Sequence, residues 1–566
     1  MNAARLARPA LIGAVAIFAL LPASALAAEA GPTRAGYTEL NDRQVDEAAL
    51  SSHRAAMARL AQLAKTKRGS PQEPVFLLRL SEITHQVASI EFRIAHGKAR
   101  LKPGSPVNMD AYNKLLKQSI EPLTDIITRY PKDNGISRAY FLRAKAYAET
   151  KQRDLAVQDF KVLIEKYGAS RDLISASFYL YDILIDAKEY PTAIMYMKRL
   201  RLAPDDPNFT LAMDHLAWAH FYINDLDQAL KYIEYQVAYY HRRKTATRGL
   251  AAEWEKAMMN AALFYSTGVT TNRPGYDVKT GLGLFLKLRP TRGILSKALV
   301  HFAYLLRARG MDQQLEDLKT AAFDSPIKDA EAIDLALVVY ENELNRLDLA
   351  KIRETSAQLS QWMEQNRKVA HQKQRWDSAQ KAIMDTAANL QGLFVNKKGT
   401  EESGPYSNVL ISLYGHLLKA SEGTPDRLRL IKIHFNLAEI LFESKDFEGA
   451  TTHYRWIVDN GVPVKDATVD KKKAVNDRAE GSLVEEARVK AVASRYESLM
   501  LKGLFPKDLA AKHMDGVKPI ALTPDAEAWI SWVQDLVKWT KDPKAAEVFF
   551  FESNRMLYSQ GHIEAA

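Results

Sequence analysis

Residues 139–167 read AYFLRAKAYAETKQRDLAVQDFKVLIEKY. Two apolar stripes at helical spacing flank the charged turn Lys151-Gln152-Arg153-Asp154, so the stretch reads as two short helices folded back on each other. Ala144 lies in the first helix and Ala156, twelve positions later, in the second. Small side chains at such a pair let two helix backbones approach closely, and Phe160, four residues past Ala156, fills the groove beside the crossing.

The same arrangement recurs. It is found in SFYLYDILIDAKEYPTAIMYMKRLRLAP from Ser177, AMDHLAWAHFYINDLDQALKYIEYQV from Ala212 and IHFNLAEILFESKDFEGATTHYRWIVDNG from Ile433. The twelve-residue pairs are Tyr181 with Ala193, Ala217 with Ala229, and Ala438 with Ala450, and the groove fillers are Met197, Ile233 and Tyr454. A weaker copy keeps the offset around Leu299, Phe302, Ala303, Leu306 and Leu315. One hairpin leaves an apolar face uncovered, so the chain is expected to stack hairpins into an array.

These residues resemble the tetratricopeptide repeat (TPR). His434, Leu437, Ala438, Leu441, Ala450, Tyr454 and Ile457 fall on its pattern in the last unit, as do Tyr140, Ala144, Tyr147, Ala156, Phe160 and Leu163 in the first. Arg143 stands where leucine is usual, Ile457 and Leu163 replace a late alanine, and the terminal proline survives only as Pro204. The resemblance implies an all-α fold, a TPR-like α-solenoid in which antiparallel helix pairs wind into a right-handed superhelix. An irregular central insertion and a helical C-terminal cap are expected in addition. At the level of architecture the chain is similar to periplasmic TPR scaffold proteins of outer-membrane assembly or of gliding-motility and secretion complexes in Gram-negative bacteria.

Outward from the repeats, 38–70 and 74–97 read as amphipathic helices, either a capping hairpin set or a coiled-coil-like prelude. Lys102 to Pro106 reads as a loop, and Met109 to Arg129 as a helix that Pro122 would bend. The expected organisation is a signal peptide over 1–27, an N-terminal helical region over 28–130, a TPR-like array over 131–267 and an irregular bridge over 268–283. Divergent helical repeats follow over 284–395, then an exposed loop over 396–405, TPR-like repeats over 406–460 and a C-terminal helical region over 461–566. The aromatic-rich end, with Trp529, Trp532, Trp539 and three consecutive Phe from 549, reads as packed core or as a docking surface.

The N-terminus sets Arg5 and Arg8 before the apolar run Ala10 to Leu21, followed by Pro22 and small residues. That order predicts export by a cleavable signal peptide, cut after Ala25-Leu26-Ala27, and the periplasm as destination. Later in the chain no apolar run reaches the ~18 residues of a membrane span, so no transmembrane segment is expected in the mature protein. The 566 residues hold no cysteine, which excludes disulfides, thiolate metal sites, a cysteine nucleophile and a lipoprotein anchor. Net charge is +10. The basic clusters Lys65-Thr66-Lys67-Arg68, His241-Arg242-Arg243-Lys244 with Arg248, and Lys471-Lys472-Lys473 read as solvated faces. Peripheral contact with anionic lipid or glycan is the alternative, and nucleic acid is not expected as a partner.

No catalytic constellation stands out. His215 and His220 are five apart, about 500° around a helix, so their rings diverge, and no HExxH is present. Gly281-Leu282-Gly283 lacks the third glycine of a dinucleotide fingerprint and reads as a turn. Catalytic residues, metals and cofactors are therefore expected to be none.

If first helices line a concave wall, helix geometry selects the side chains facing it. They are Phe141, Lys145 and Glu149 in the first unit, and Asp214, Trp218, Phe221 and Tyr222 in the third. Val300, Tyr304 and Arg307 follow in the weak unit, and Phe435, Glu439 and Phe442 in the last. The alternative for Trp218 is core, packed against Tyr235, Tyr239 and Tyr240. The expected function is a non-catalytic scaffold or adaptor holding protein partners of a cell-envelope complex. The alternative is an envelope enzyme, or a recruiter of a cell-wall-acting enzyme, with a glycan-related site in the superhelix. Homotypic assembly through the aromatic end is a third reading.

Overall fold

The structure, a computed structural model, describes residues 39–100, 106–243, 248–288, 290–325, 329–421, 426–461, 471–504, 519–540, 543–562 and 564–565. The expected signal peptide, nearly all of the 102–106 loop, Lys244 and most of the connector after Gly461 lie outside these residues. Helix follows helix, with no strand among the described residues. The chain divides into two compact units, Met1–Arg201 and Leu202–Ala566.

The first unit holds α1 (Glu39–Thr66), α2 (Glu73–Arg100), α3 (Asp110–Arg129), α4 (Ile136–Glu149), α5 (Arg153–Lys166), α6 (Leu173–Asp186) and α7 (Tyr190–Arg199). Its first three helices pack one on the next, and α3 packs on α4, so the N-terminal helices continue the stacking into the repeats. Helix α3 runs unbroken through Pro122. At its end Arg129 reaches the buried Glu73 carboxylate at 2.8 Å and Tyr130 donates to it at 2.6 Å. Chiefly through the Arg129 hydrogen bond, the carboxyl is held down at about 2.

In the second unit stand α8 (Phe209–Tyr222), α9 (Leu226–Arg242), α10 (Arg248–Thr270), α11 (Val278–Lys287), α12 (Arg292–Ala308), α13 (Asp312–Phe323), α14 (Asp329–Asn345) and α15 (Leu349–Asn366). A short 3-10 turn at Ala370–Gln372 leads into α16 (Lys373–Asn396) and α17 (Ser403–Ser421). Then come α18 (Arg427–Glu443), α19 (Phe447–Asn460), α20 (Lys471–Leu501), α21 (Pro524–Trp539) and α22 (Pro543–Ser559).

The crossing residues behave as the spacing predicts. Ala144, Ala156, Ala193, Ala217, Ala229, Ala438 and Ala450 are fully buried, and Tyr181 nearly so. Phe160, Met197, Ile233 and Tyr454 are buried beside them, as are Ala303 and Leu315 of the weaker copy. A further hairpin, α14–α15, keeps the offset without any alanine, through Tyr340 and Ile352.

The turns share one backbone device. Lys151, Lys188, Asn224, Gly310, Leu347 and Lys445 each stand seven positions after the first crossing residue, and each has positive φ. The amide after each closes a Schellman bond onto the helix before it, as Gln152 N does to Tyr147 O at 2.8 Å and Asp348 N to Glu343 O at 3.0 Å. That following residue opens the second helix. Where it is Asp225, Asp348 or Asp446 its carboxylate accepts from the backbone three residues on.

Two expected irregular segments are partly helical. The bridge at 268–283 shrinks because α10 continues to Thr270 and α11 starts at Val278. Gly281 is therefore not in a turn; it lies within α11, where a Cβ would come 2.6 Å from the Tyr265 ring. Gly268 likewise gives its space to Tyr276, whose ring would stand 2.0 Å from a Cβ. Glycine here permits close approach within helices rather than a break between them. The exposed loop at 396–405 is confined to 397–402, since α17 begins at Ser403.

Candidate protein-binding face

Arg143, the departure from the repeat pattern, is compensated. Its guanidinium forks onto Asp159 of α5 at 2.7 and 2.8 Å, while packing near the rings of Tyr140 and Tyr147. A charged pair thus replaces an apolar contact at one helix crossing.

In the second unit the first helices α10, α12, α14 and α16 pack in series. Polar links cross from each to the next. Lys297 of α12 reaches Glu255 of α10 at 2.6 Å, Arg307 of α12 holds Glu341 of α14 at 2.8 Å, and Arg375 of α16 holds Asp334 of α14 at 2.8 Å. Helix α8 joins through Asp214, which accepts from Lys256 at 3.0 Å and from Asn260 at 3.1 Å.

This row explains where the predicted guest-facing residues go. Phe141 is buried, its ring packed with Phe160 and Tyr179, and Lys145 lies over Tyr179 of α6. Glu149 is exposed and accepts from Tyr112 of α3. Asp214 and Arg307 are engaged by α10 and α14. Trp218 and Phe221 are half-buried against Phe264 of α10, with ring centroids at 5.2 and 4.5 Å. The core alternative for Trp218 thus holds in part, with a different neighbour. Tyr239 and Tyr240 are buried elsewhere, stacked on Phe209 and Trp254. Val300 is half-buried. Phe435 packs on Tyr454 and beneath Lys490, Glu439 is bonded by Tyr454 and Lys490, and Phe442 meets Phe447.

Trp218, Phe221 and Tyr222 pack ring against ring on α8. Tyr222 at 37% and Tyr304 at 47% exposure stand most open among the predicted aromatics. The sequence rule does not allow for the next first helix, which occupies much of each face.

The basic and histidine candidates have structural partners too. His241 meets Leu288 O at 2.8 Å, and Arg243 reaches Asp205 O at 3.1 Å. His215 meets Leu211 O at 2.8 Å, while His220 meets Asp225 at 3.1 Å and stacks on Tyr232, so the two rings do not converge. Among the described residues no group of three or more His, Asp or Glu is placed to hold a metal ion, and no helix is long and apolar enough to cross a membrane.

One histidine pair escaped the sequence reading. His434 Nδ1 lies 2.9 Å from His453 Nδ1, and the His434 ring stacks on Trp456 at 3.8 Å. Burial, aided by the neighbouring ring, pushes His434 down to about 3, and burial lowers His453 as well. The nineteen-residue gap between them hid the pair; the repeat register, which sets α18 against α19, was the available signal.

Comparison with known proteins gives a family match at one hairpin. A tetratricopeptide-repeat family model matches residues 138–170, the α4–α5 hairpin. No curated protein matches. Among solved structures, that of Naa15/Naa10 bound to HypK-THB is similar over 90% of this chain and 79% of that chain, at 15% identity and a TM-score of 0.25. The α4–α5 hairpin thus carries a tetratricopeptide repeat, and the same crossing and turn geometry recurs in five further hairpins, giving a tetratricopeptide-repeat-like helical array.

Proposed function

We propose that this protein is a non-catalytic scaffold that works outside the cytoplasm, in the periplasm, and holds protein partners of a cell-envelope complex along its rows of first helices. The observation that carries the reading is the series α10, α12, α14 and α16, fastened side by side by polar links, with Tyr222 and Tyr304 open nearby. Rigidly mounted aromatic side chains anchor interfaces at low entropic cost. The export half of the reading rests on the order of residues before Ala28, a basic start, a short apolar run and a small-residue cut site. Contact with anionic lipid or glycan is a subsidiary part of the proposal, resting on the basic clusters.

Cross-linking in intact cells, followed by identification of the captured proteins, tests it. Envelope proteins recovered with the native chain and lost with Tyr222→Ala plus Tyr304→Ala support the reading. Recovery of the chain from the cytoplasm with an intact N-terminus would refute the location, and undiminished capture by the double variant would refute the face.

A further inference from the structure

The last helix has a face that the stacking of hairpins leaves over. Helix α22 packs on α21 and α20, burying Ala546, Ser553, Met556 and Leu557. Elsewhere on its circumference Val548 is 60% exposed, Phe550 45%, Phe551 63% and Tyr558 47%. At about 100° per residue these four, with the exposed Lys544 and Glu547, fill a continuous arc of about 160°. This open face is largely aromatic.

We propose that this outer face of α22 packs against the same face of a second copy of the chain, antiparallel about a two-fold axis near Phe551. Three observations select that occupant. The arc carries Lys544, Glu547 and Arg555, the last paired with Glu552 of its own helix at 2.7 Å, so these four side chains sum to zero formal charge, whereas an anionic lipid surface draws a basic helix face. Among the described side chains of α1, residues 45–66, Val45 is the one large apolar side chain that stands exposed. Head-to-tail association needs two complementary patches, while a two-fold contact needs one patch matching itself. The area also suffices. Three aromatic side chains of roughly 150–250 Å² each, about half exposed, with Val548, give about 400 Å² of apolar surface per copy. Two such faces with their polar rims reach the roughly 1,000 Å² of a specific interface.

The axis also pairs unlike groups. With Phe551 facing its counterpart, position 547 of one copy lies opposite 555 of the other, so Glu547 meets Arg555, and Lys544 meets the Tyr558 ring. A cation over an aromatic face and an acid beside a guanidinium are both favourable at an interface rim.

Sedimentation of the purified protein over a concentration series, from below micromolar to about 100 micromolar, tests this. The native chain is expected to rise to a plateau at twice the monomer mass. Phe551→Glu with Val548→Glu should remain monomeric with an unchanged helical spectrum and melting temperature. Because the native chain has no cysteine, Phe551→Cys supplies a unique thiol. Mild oxidation should convert most of it to a covalent dimer, whereas Val45→Cys should stay largely monomeric. A monomer at every concentration overturns the proposal, whether the thiol at 551 reacts freely with a small reagent, is shielded by another part of the same chain, or is shielded only when anionic vesicles are added. Mass that climbs without a plateau overturns it in favour of open-ended association.

Discussion

Arg143 of α4 and Asp159 of α5 form a two-pronged ion pair, N to O 2.7 and 2.8 Å, at a helix crossing where the repeat pattern expects a leucine. Both side chains are largely removed from water, at 13% and 5% exposure. Removing one partner leaves the other charge buried without its counterion, which costs about 3–5 kcal/mol, while an apolar pair of similar volume is often neutral or better. Arg143→Leu should therefore destabilise the first unit by about that amount. Adding Asp159→Leu should recover most of the loss. Urea unfolding of the two variants checks it, and equal losses from both would show that the pairing is not what holds the crossing.

The His434–His453 contact predicts an acid-sensitive hairpin. The unfolded rings take up protons near the ordinary value of 6.5, whereas folded His434 resists protonation until about 3. Through that window the folded state binds fewer protons, so its contribution to stability is complete above about 6.5 and lost as pH falls toward 3. Double protonation would also set N–H against N–H across the 2.9 Å contact. The melting temperature of native protein should fall between pH 7 and 5, and His434→Gln should fall less steeply. Parallel curves would place the acid sensitivity elsewhere, with buried His85 of α2, lowered to about 3 mainly by burial, as the next group to test.

Leu347 occupies a left-handed backbone conformation, φ 54°, at the turn between α14 and α15. An L-residue with a Cβ is penalised there by about 1–2 kcal/mol, partly offset by glycine's greater freedom in the unfolded chain. Leu347 is also 44% exposed, so little packing is lost on truncation. Leu347→Gly should raise stability by about 0.5–1 kcal/mol, and Gly310→Val, at the equivalent turn, should lower it by at least as much. Thermal melts of the pair decide it.

The α8 cluster separates support from recognition. Phe264 is fully buried under Trp218 and Phe221, so Phe264→Ala should cost about 3–5 kcal/mol. Trp218 is only half-buried, and Trp218→Ala should cost less, about 1–3 kcal/mol. Tyr304→Ala, at an open position, should lie within about 0.5 kcal/mol of native. Chemical unfolding ranks the three, and a loss at Tyr304 as large as at Phe264 would contradict the ranking.

These residues also mark how far the sequence could be read. Pairs such as Ala217 with Ala229 were visible because a small residue at fixed spacing has one physical use, the close crossing of two helices. Tyr340 with Ile352 makes the same crossing from large residues and so gave no such mark. Gly281 was read as a turn because glycine's freedom of backbone is its commoner use; its role beneath Tyr265 depends on a neighbour that only the fold supplies. Asp214 and Arg307 bond to neighbouring helices, and one chain position cannot say whether a helix side meets a guest or the adjacent helix. The aromatic end divides for the same reason. Trp529 is sealed and bonds Val492 O at 3.0 Å, while Trp539 is 61% exposed, and composition alone treats them alike.

Within each unit the hairpins lean chiefly on those beside them in the chain. Tension drawn through such a unit is carried in series, like load along coupled carriages, so each junction bears it and the extension is divided among them. Such a chain lengthens by yielding one pair of helices at a time and can re-form each pair where it parted, a compliance that a globule closed by distant contacts does not have.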